Sequence, residues 1–197
     1  MSEALLFYIS AASDLETERE ILGRAVADVP GDLDFRVVQS PDGNGLLDVD
    51  AIASADVHIL VMGGDIRVPV GLEWQLARQA GRPPTVFLRH SRLRTPAGMD
   101  FVRLVARFQR WEPFDNGTML RGKVLMLLAD HILAQAVRYG LTADEIVGLH
   151  VWREALVTSP QAVDEVTRGG AGESSIVLSR RRIVTAGGVV IDKEGRD

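Results

Sequence analysis

The chain has 197 residues, 46% of them hydrophobic and 25% charged, and carries a formal net charge of −5. That suits one ordinary domain with an appendage, or two small domains, and the acidic balance gives no global case for nucleic acid. Cysteine is absent, which excludes disulfides, thiolate catalysis and cysteine-ligated zinc. No apolar run reaches the roughly 18 residues of a membrane-spanning helix, and the first residues lack the basic start of a signal peptide, so the expected setting is the cytoplasm.

Leu5-Leu6-Phe7-Tyr8-Ile9 is a short apolar, aromatic run that reads as a buried strand. Ser13 and Glu16 then have capping-box spacing, and Leu15, Ile21, Leu22, Ala25, Val26 and Val29 recur at helical spacing up to Pro30-Gly31. Phe35 to Val38 is a second strand, Pro41 to Gly45 a loop and Asp48 to Ala55 a short helix. Val57 to Met62 is continuously apolar, as expected of a parallel strand covered on both faces. After Gly63-Gly64-Asp65 the spacing predicts a helix over Gly71 to Ala80, a strand over Thr85 to Leu88, a helix over Pro96 to Phe108 and an edge strand over Gln109 to Phe114. Met119 to Tyr139 reads as a long apolar-striped helix. Thr142 with Glu145 is a second capping box, opening a helix to about Val157. Ser159-Pro160 breaks it, 168–175 is Gly-rich and reads as a linker, and Ile176 to Leu178 and Ile183 to Ile191 read as strands of a hairpin through Arg180-Arg181-Arg182.

Alternating strands and helices with right-handed crossovers predict a doubly wound α/β domain over residues 1–115, flavodoxin-like in strand order 2-1-3-4-5. A helical extension over 116–167 and a linker with a β tail over 168–197 follow. In such sheets ligands bind beyond the carboxyl ends of the strands, where the strand order reverses. The candidates are Ser10 and Ser13 after the first strand, Gly63, Gly64 and Asp65 after the third, Glu73 in the helix that follows, and Arg89 after the fourth. Gly63-Gly64 either exposes amides to a ligand or makes a tight turn. Glu73 either complements the helix dipole or points into the crevice, where it could hold ribose hydroxyls or stabilise the cationic sugar formed when an N-glycosidic bond breaks.

His58, inside a strand, reads as structural, and His131 and His150 have no metal-ligand spacing, so no metal site and no cofactor are expected. There is no nucleophile elbow and no glycine–lysine phosphate loop. Asp14, Glu16, Glu18, Arg19 and Glu20 read as a solvated helix face.

The stretch from Phe7 to Arg19, with its strand, small polar residues and D-L-x-x-E-R run, resembles the opening of a TIR-like family of bacterial N-terminal domains. Ala55 to Gly64 is similar to that family's central strand, and Gly71 to Ala77 with Gly81-Arg82-Pro83 to its E-x-x-x-A…G-(K/R)-P helix. The same arrangement occurs in nucleoside 2-deoxyribosyltransferases. The resemblance covers roughly residues 5 to 110. It implies a signalling or conflict (defence) module, and it implies that Glu73 stands where related enzymes carry a catalytic glutamate. The loop from Asp65 to Val70 departs from the family by lacking its polar substrate-holding residues. In the tail, Thr185-Ala186-Gly187-Gly188 resembles the start of a trypsin-like peptidase, with Gly188 in place of the catalytic histidine.

Two functions are therefore expected. One is a nucleotide-sensing or protein-interaction module that pairs with a partner domain, or as a homodimer through the apolar residues of Met119 to Val157. The alternative is a hydrolase or transferase acting on the N-glycosidic bond of NAD or a nucleoside, with Glu73 as its carboxylate. Nucleic-acid binding would rest on Arg180 to Arg182 alone.

Overall fold

The first four predicted strand segments and the end of the fifth, Glu112–Phe114, pair with one another, and every pairing is parallel. The computed structural model describes residues 3–41, 45–90, 93–158 and 184–185. Its strands are β1 (Leu5–Ala11), β2 (Phe35–Gln39), β3 (Val57–Met62), β4 (Thr85–Arg89), β5 (Glu112–Phe114) and β6 (Val184–Thr185). Its α-helices are α1 (Glu16–Ala25), α2 (Val49–Ser54), α3 (Val70–Gln79), α4 (Pro96–Ala106), α5 (Gly117–Ala134) and α6 (Ala143–Thr158). The strands run in the order β5-β4-β3-β1-β2-β6. The first five give the 2-1-3-4-5 order of a flavodoxin-like sheet.

Helices cover both faces because both faces of the strands are apolar. On one side Leu5, Phe7 and Ile9 of β1 and Ile59 and Val61 of β3 pack with Leu22 of α1 and with α5 and α6. On the other, Leu6, Tyr8 and Val38 pack with Ile52 of α2 and Ala77 of α3, while Leu60, Met62 and Val86 meet Trp74 of α3 and Phe101 and Val105 of α4. Strand parity therefore decides everything at the site: successive residues of a strand face opposite helix layers.

Leu120, Val124, Leu125 and Leu128 of α5 and Leu149 and Leu156 of α6 belong to the same buried cluster as Phe7 and Ile9. These residues of the helical pair thus cover the sheet, the part of its apolar surface not expected to be left for a dimer interface. The Thr142–Glu145 capping box forms: Thr142 N–H donates to the Glu145 carboxylate (2.8 Å) and Glu145 N–H donates to Thr142 Oγ1 (3.3 Å).

Two local expectations are corrected. Helix α1 is entered through a 3-10 turn, Ser13–Leu15, so the N-cap position falls on Leu15 rather than Ser13, and no side chain caps it. Leu15 is fully buried, and burying that side chain places the chain more strongly than a surface cap, which contributes about 1 kcal/mol. Helix α5 stops at Ala134 instead of reaching Tyr139, followed by a turn closed by Gly140 at φ +66°. Val184–Thr185 pairs in parallel with Arg36 and Val37 of β2. The Ser159-Pro160 break, the 168–175 linker, Ile176 to Leu178, Arg180 to Arg182 and Gly188 lie outside the described residues.

Candidate functional site

Glu73 sits in the first turn of α3, its N–H donating to the Pro69 carbonyl (3.0 Å). Its side chain crosses to the sheet and is completely buried. Tyr8 of β1 donates its hydroxyl proton to Glu73 Oε1 (2.8 Å), and Ser40, the first residue past β2, donates to Oε2 (2.6 Å). Ser10 is a neighbour of the same carboxylate, and its hydroxyl favours the charged form. Tyr8 and Ser10 are two apart on β1, so the strand presents both to the α3 layer. Ser10 Oγ also lies 2.8 Å from His58 Nε2 of β3, and the His58 ring stands edge-on to Tyr8, its in-register partner, with centroids 4.8 Å apart. One carboxylate thus gathers side chains from three adjacent strands.

Burial is the largest influence on this group. It raises the Glu73 carboxyl above its ordinary range, opposed by the hydroxyls of Ser40, Ser10 and Tyr8 and then by the charge of Arg19. Tyr8 is pushed far up by burial first and by the Glu73 charge second, so it remains a donor. Burial pushes His58 down to about 3, which keeps the imidazole neutral at physiological pH.

Of the charged run expected to form a solvated face, Glu16 and Glu20 are exposed, whereas Asp14, Glu18 and Arg19 make contacts at the carboxyl ends of the strands. Asp14 Oδ2 accepts from the Gly64 N–H (3.3 Å), and Leu15 fills the core. Glu18 is buried and forms an ion pair with Arg89 of β4. Arg19 donates to Gln39 Oε1 (3.3 Å) and to the Ser40 carbonyl (2.8 Å). The start of α1 therefore ties together the carboxyl ends of β2, β3 and β4.

Of the residues expected at the site, the structure brings Ser10 and Glu73 together. Gly63, Gly64 and Asp65 lie in the turn after β3 and serve it locally. A Cβ on Gly63 would come 2.9 Å from Asp14 Oδ2 and 3.0 Å from Leu15 Cδ2, and one on Gly64 would come 3.1 Å from the Leu93 carbonyl. Asp65 accepts from its neighbour Ile66 N–H (2.8 Å) and from the Thr95 hydroxyl. Arg89 follows Phe87 in parity, so it faces α1 and Glu18, on the opposite side of the sheet from Glu73. Ser13 lies in the 3-10 turn before α1. Tyr8, Ser40, His58 and Arg19 join the site although sequence reading did not single them out for it. The available signal was the polar Tyr8, Ser10 and His58 inside otherwise apolar strands.

The residues of the Asp65 to Val70 loop are apolar in part: Ile66 packs on the α3–α4 cluster, and Val68 is 90% exposed. Leu46, ahead of α2, and Leu93, ahead of α4, are likewise almost fully exposed. Three connections at the carboxyl ends of β2, β3 and β4 thus each present one aliphatic side chain to solvent. Among the described residues no group of three or more His, Asp or Glu could hold a metal ion, and no helix is long and apolar enough to cross a membrane. No family model matches the chain, and no curated protein matches its sequence.

Proposed function

We propose that this chain is a sensing or protein-interaction module working at the carboxyl edge of its sheet, and that its ligand is a nucleotide read by the Glu73 group. The observation that carries this reading is a fully buried carboxylate that accepts from hydroxyls of Tyr8 on β1 and Ser40 just past β2. A carboxylate among hydroxyls at a switch point has the chemistry to exchange its internal donors for the vicinal hydroxyls of a ribose. The same burial behind internal donors argues against turnover in this conformation, since a reacting carboxylate must reach its substrate. The three exposed aliphatic residues at this edge, Leu46, Val68 and Leu93, suit an apolar base or a partner surface. A setting in a bacterial signalling or conflict system rests on the TIR-like resemblance of the D-L-x-x-E-R run.

A second reading, cleavage of an N-glycosidic bond, is favoured by the placement of Glu73 in the first turn of α3 next to Ser10 and Tyr8. One experiment separates the two. The protein is titrated calorimetrically with NAD, ADP-ribose and nucleosides while released base is followed by chromatography. Binding without release, lost in Glu73→Gln, supports the module. Release abolished in Glu73→Gln supports the hydrolase, and no binding of any of these ligands overturns the nucleotide reading.

A further inference from the structure

We propose that His58 acts on Glu73 through Ser10, holding the serine hydroxyl so that its single proton points at the carboxylate. His58 is then a positioning residue of the site and not merely a histidine packed into a strand. The inference rests on reading Glu73 as the functional carboxylate.

The number of protons available to Ser10 and His58 sets the direction of each bond. Ser10 Oγ has one proton and two polar neighbours, His58 Nε2 at 2.8 Å and the Glu73 carboxylate. An ionised carboxylate only accepts. Ser10 therefore donates to Glu73, and the imidazole must supply the other bond by donating Nε2–H to Ser10 Oγ. A neutral ring carries one proton, so Nδ1 is bare. That nitrogen is buried and without a hydrogen-bond partner in the structure. The opposite direction, with Glu73 protonated and donating to Ser10 and Ser10 donating to Nε2, would place the ring proton on Nδ1. A buried N–H would then lack an acceptor, at the cost of a lost hydrogen bond. The dead end at Nδ1 thus biases the whole chain toward an ionised Glu73.

The other charged or titratable groups facing this carboxylate do not duplicate that effect. Tyr8 donates from β1 and stays protonated. Arg19 of α1 acts through space, with its bonds made to Gln39 and to the Ser40 carbonyl. Asp48, ahead of α2, acts on Tyr8. Burial keeps His58 neutral, which the donor role requires.

The first arm of the test needs no mutation. Nitrogen-15 NMR of the histidine rings in the intact protein should show His58 as the neutral Nε2–H tautomer across pH 6–8; the Nδ1–H tautomer overturns the proposal. The second arm follows the side-chain carboxyl carbon of Glu73, assigned by its loss in Glu73→Gln. His58→Leu should raise the Glu73 midpoint by about one pH unit, the worth of one bond to a charged acceptor. His58→Gln, which keeps a donor at the place of Nε2, should restore it. In Ser10→Ala, changing His58 to Leu should have no further effect. Equal midpoints in the wild type and His58→Leu overturn the proposal and leave ligand binding by Glu73 standing. A normal His58 effect with no ligand bound overturns only the functional reading.

Discussion

Ser40 and Glu73 share a 2.6 Å hydrogen bond that joins the end of β2 to the first turn of α3. Ser40 also accepts from the Ala11 N–H (3.2 Å), and its carbonyl receives the Arg19 guanidinium (2.8 Å). A single serine thus links β1, β2, α1 and α3. Ser40→Ala should cost about 1–3 kcal/mol, because it leaves a buried carboxylate and a backbone N–H each short of a partner. Chemical denaturation should show a lower midpoint at an unchanged slope. A midpoint equal to the wild type's would mean that water replaces the hydroxyl at no cost.

Glu73 and His58, both buried, give opposite pH dependences. The Glu73 carboxyl is raised above 4.5, so the folded chain holds that proton to higher pH than the unfolded chain does. Its contribution to stability is present in acid and is lost as pH climbs above 4.5 through the folded value. His58 is lowered from 6.5 to about 3, so the unfolded chain binds the proton first. Its contribution is present above 6.5 and is lost as pH falls toward 3. Glu73→Gln should flatten the decline on the alkaline side of 4.5, and His58→Gln should flatten the loss between 6.5 and 3. Urea midpoints collected every half unit of pH check both; identical profiles for either variant and the wild type would remove that group from the account.

Arg89 and Glu18 form an ion pair with side chains only 24% and 5% exposed. Cutting one partner strands the other. Arg89→Ala should cost about 3–5 kcal/mol, while the double change Glu18→Leu with Arg89→Met should cost markedly less, since an apolar pair of similar volume avoids the desolvation of both charges. A double-mutant cycle on thermal unfolding measures the difference. If the two losses simply add, Arg89 is not held by Glu18 and is available to a ligand.

Much of the sheet could be read from the chain because Val57 to Met62 and its neighbours are apolar without interruption, and both layers of helices follow from that. The same property hid the site. A strand buried on both faces carries no polar alternation, so nothing in Thr85 to Leu88 reveals that Arg89 turns toward α1 rather than α3. Glu73 was legible because topology aims the turn after β3 at the switch point. Ser40 and His58 were not, because they reach Glu73 only through sheet pairing across long separations in sequence. The charged run at Asp14 to Glu20 looked like a solvated face for a related reason. Helical spacing shows which side chains share a face, but not that Glu18 and Arg19 turn toward β4 and β2.

Two glycines in helices separate close packing from backbone propensity. Gly98, in the first turn of α4, has its missing Cβ 2.9 Å from the Gly64 carbonyl and 3.1 Å from Met62 Cε. That carbonyl is itself held, accepting from the Thr95 N–H (2.9 Å), so it cannot retreat without breaking the turn after β3. Gly122, within α5, has nothing within 4 Å of its Cβ position. Alanine gains up to about 1 kcal/mol of helix propensity at either site. At Gly122 that gain stands alone, and Gly122→Ala should raise the unfolding temperature. At Gly98 the overlap costs about 1–3 kcal/mol and outweighs it, so Gly98→Ala should lower the unfolding temperature. It should also disturb the amide signals of Gly63 and Gly64, which hydrogen-exchange NMR would report as faster exchange at Gly64, whose N–H is held by Asp14. Stabilisation by Gly98→Ala would show that α4 can shift away from the β3 turn, leaving the Asp14–Gly64 contact independent of it.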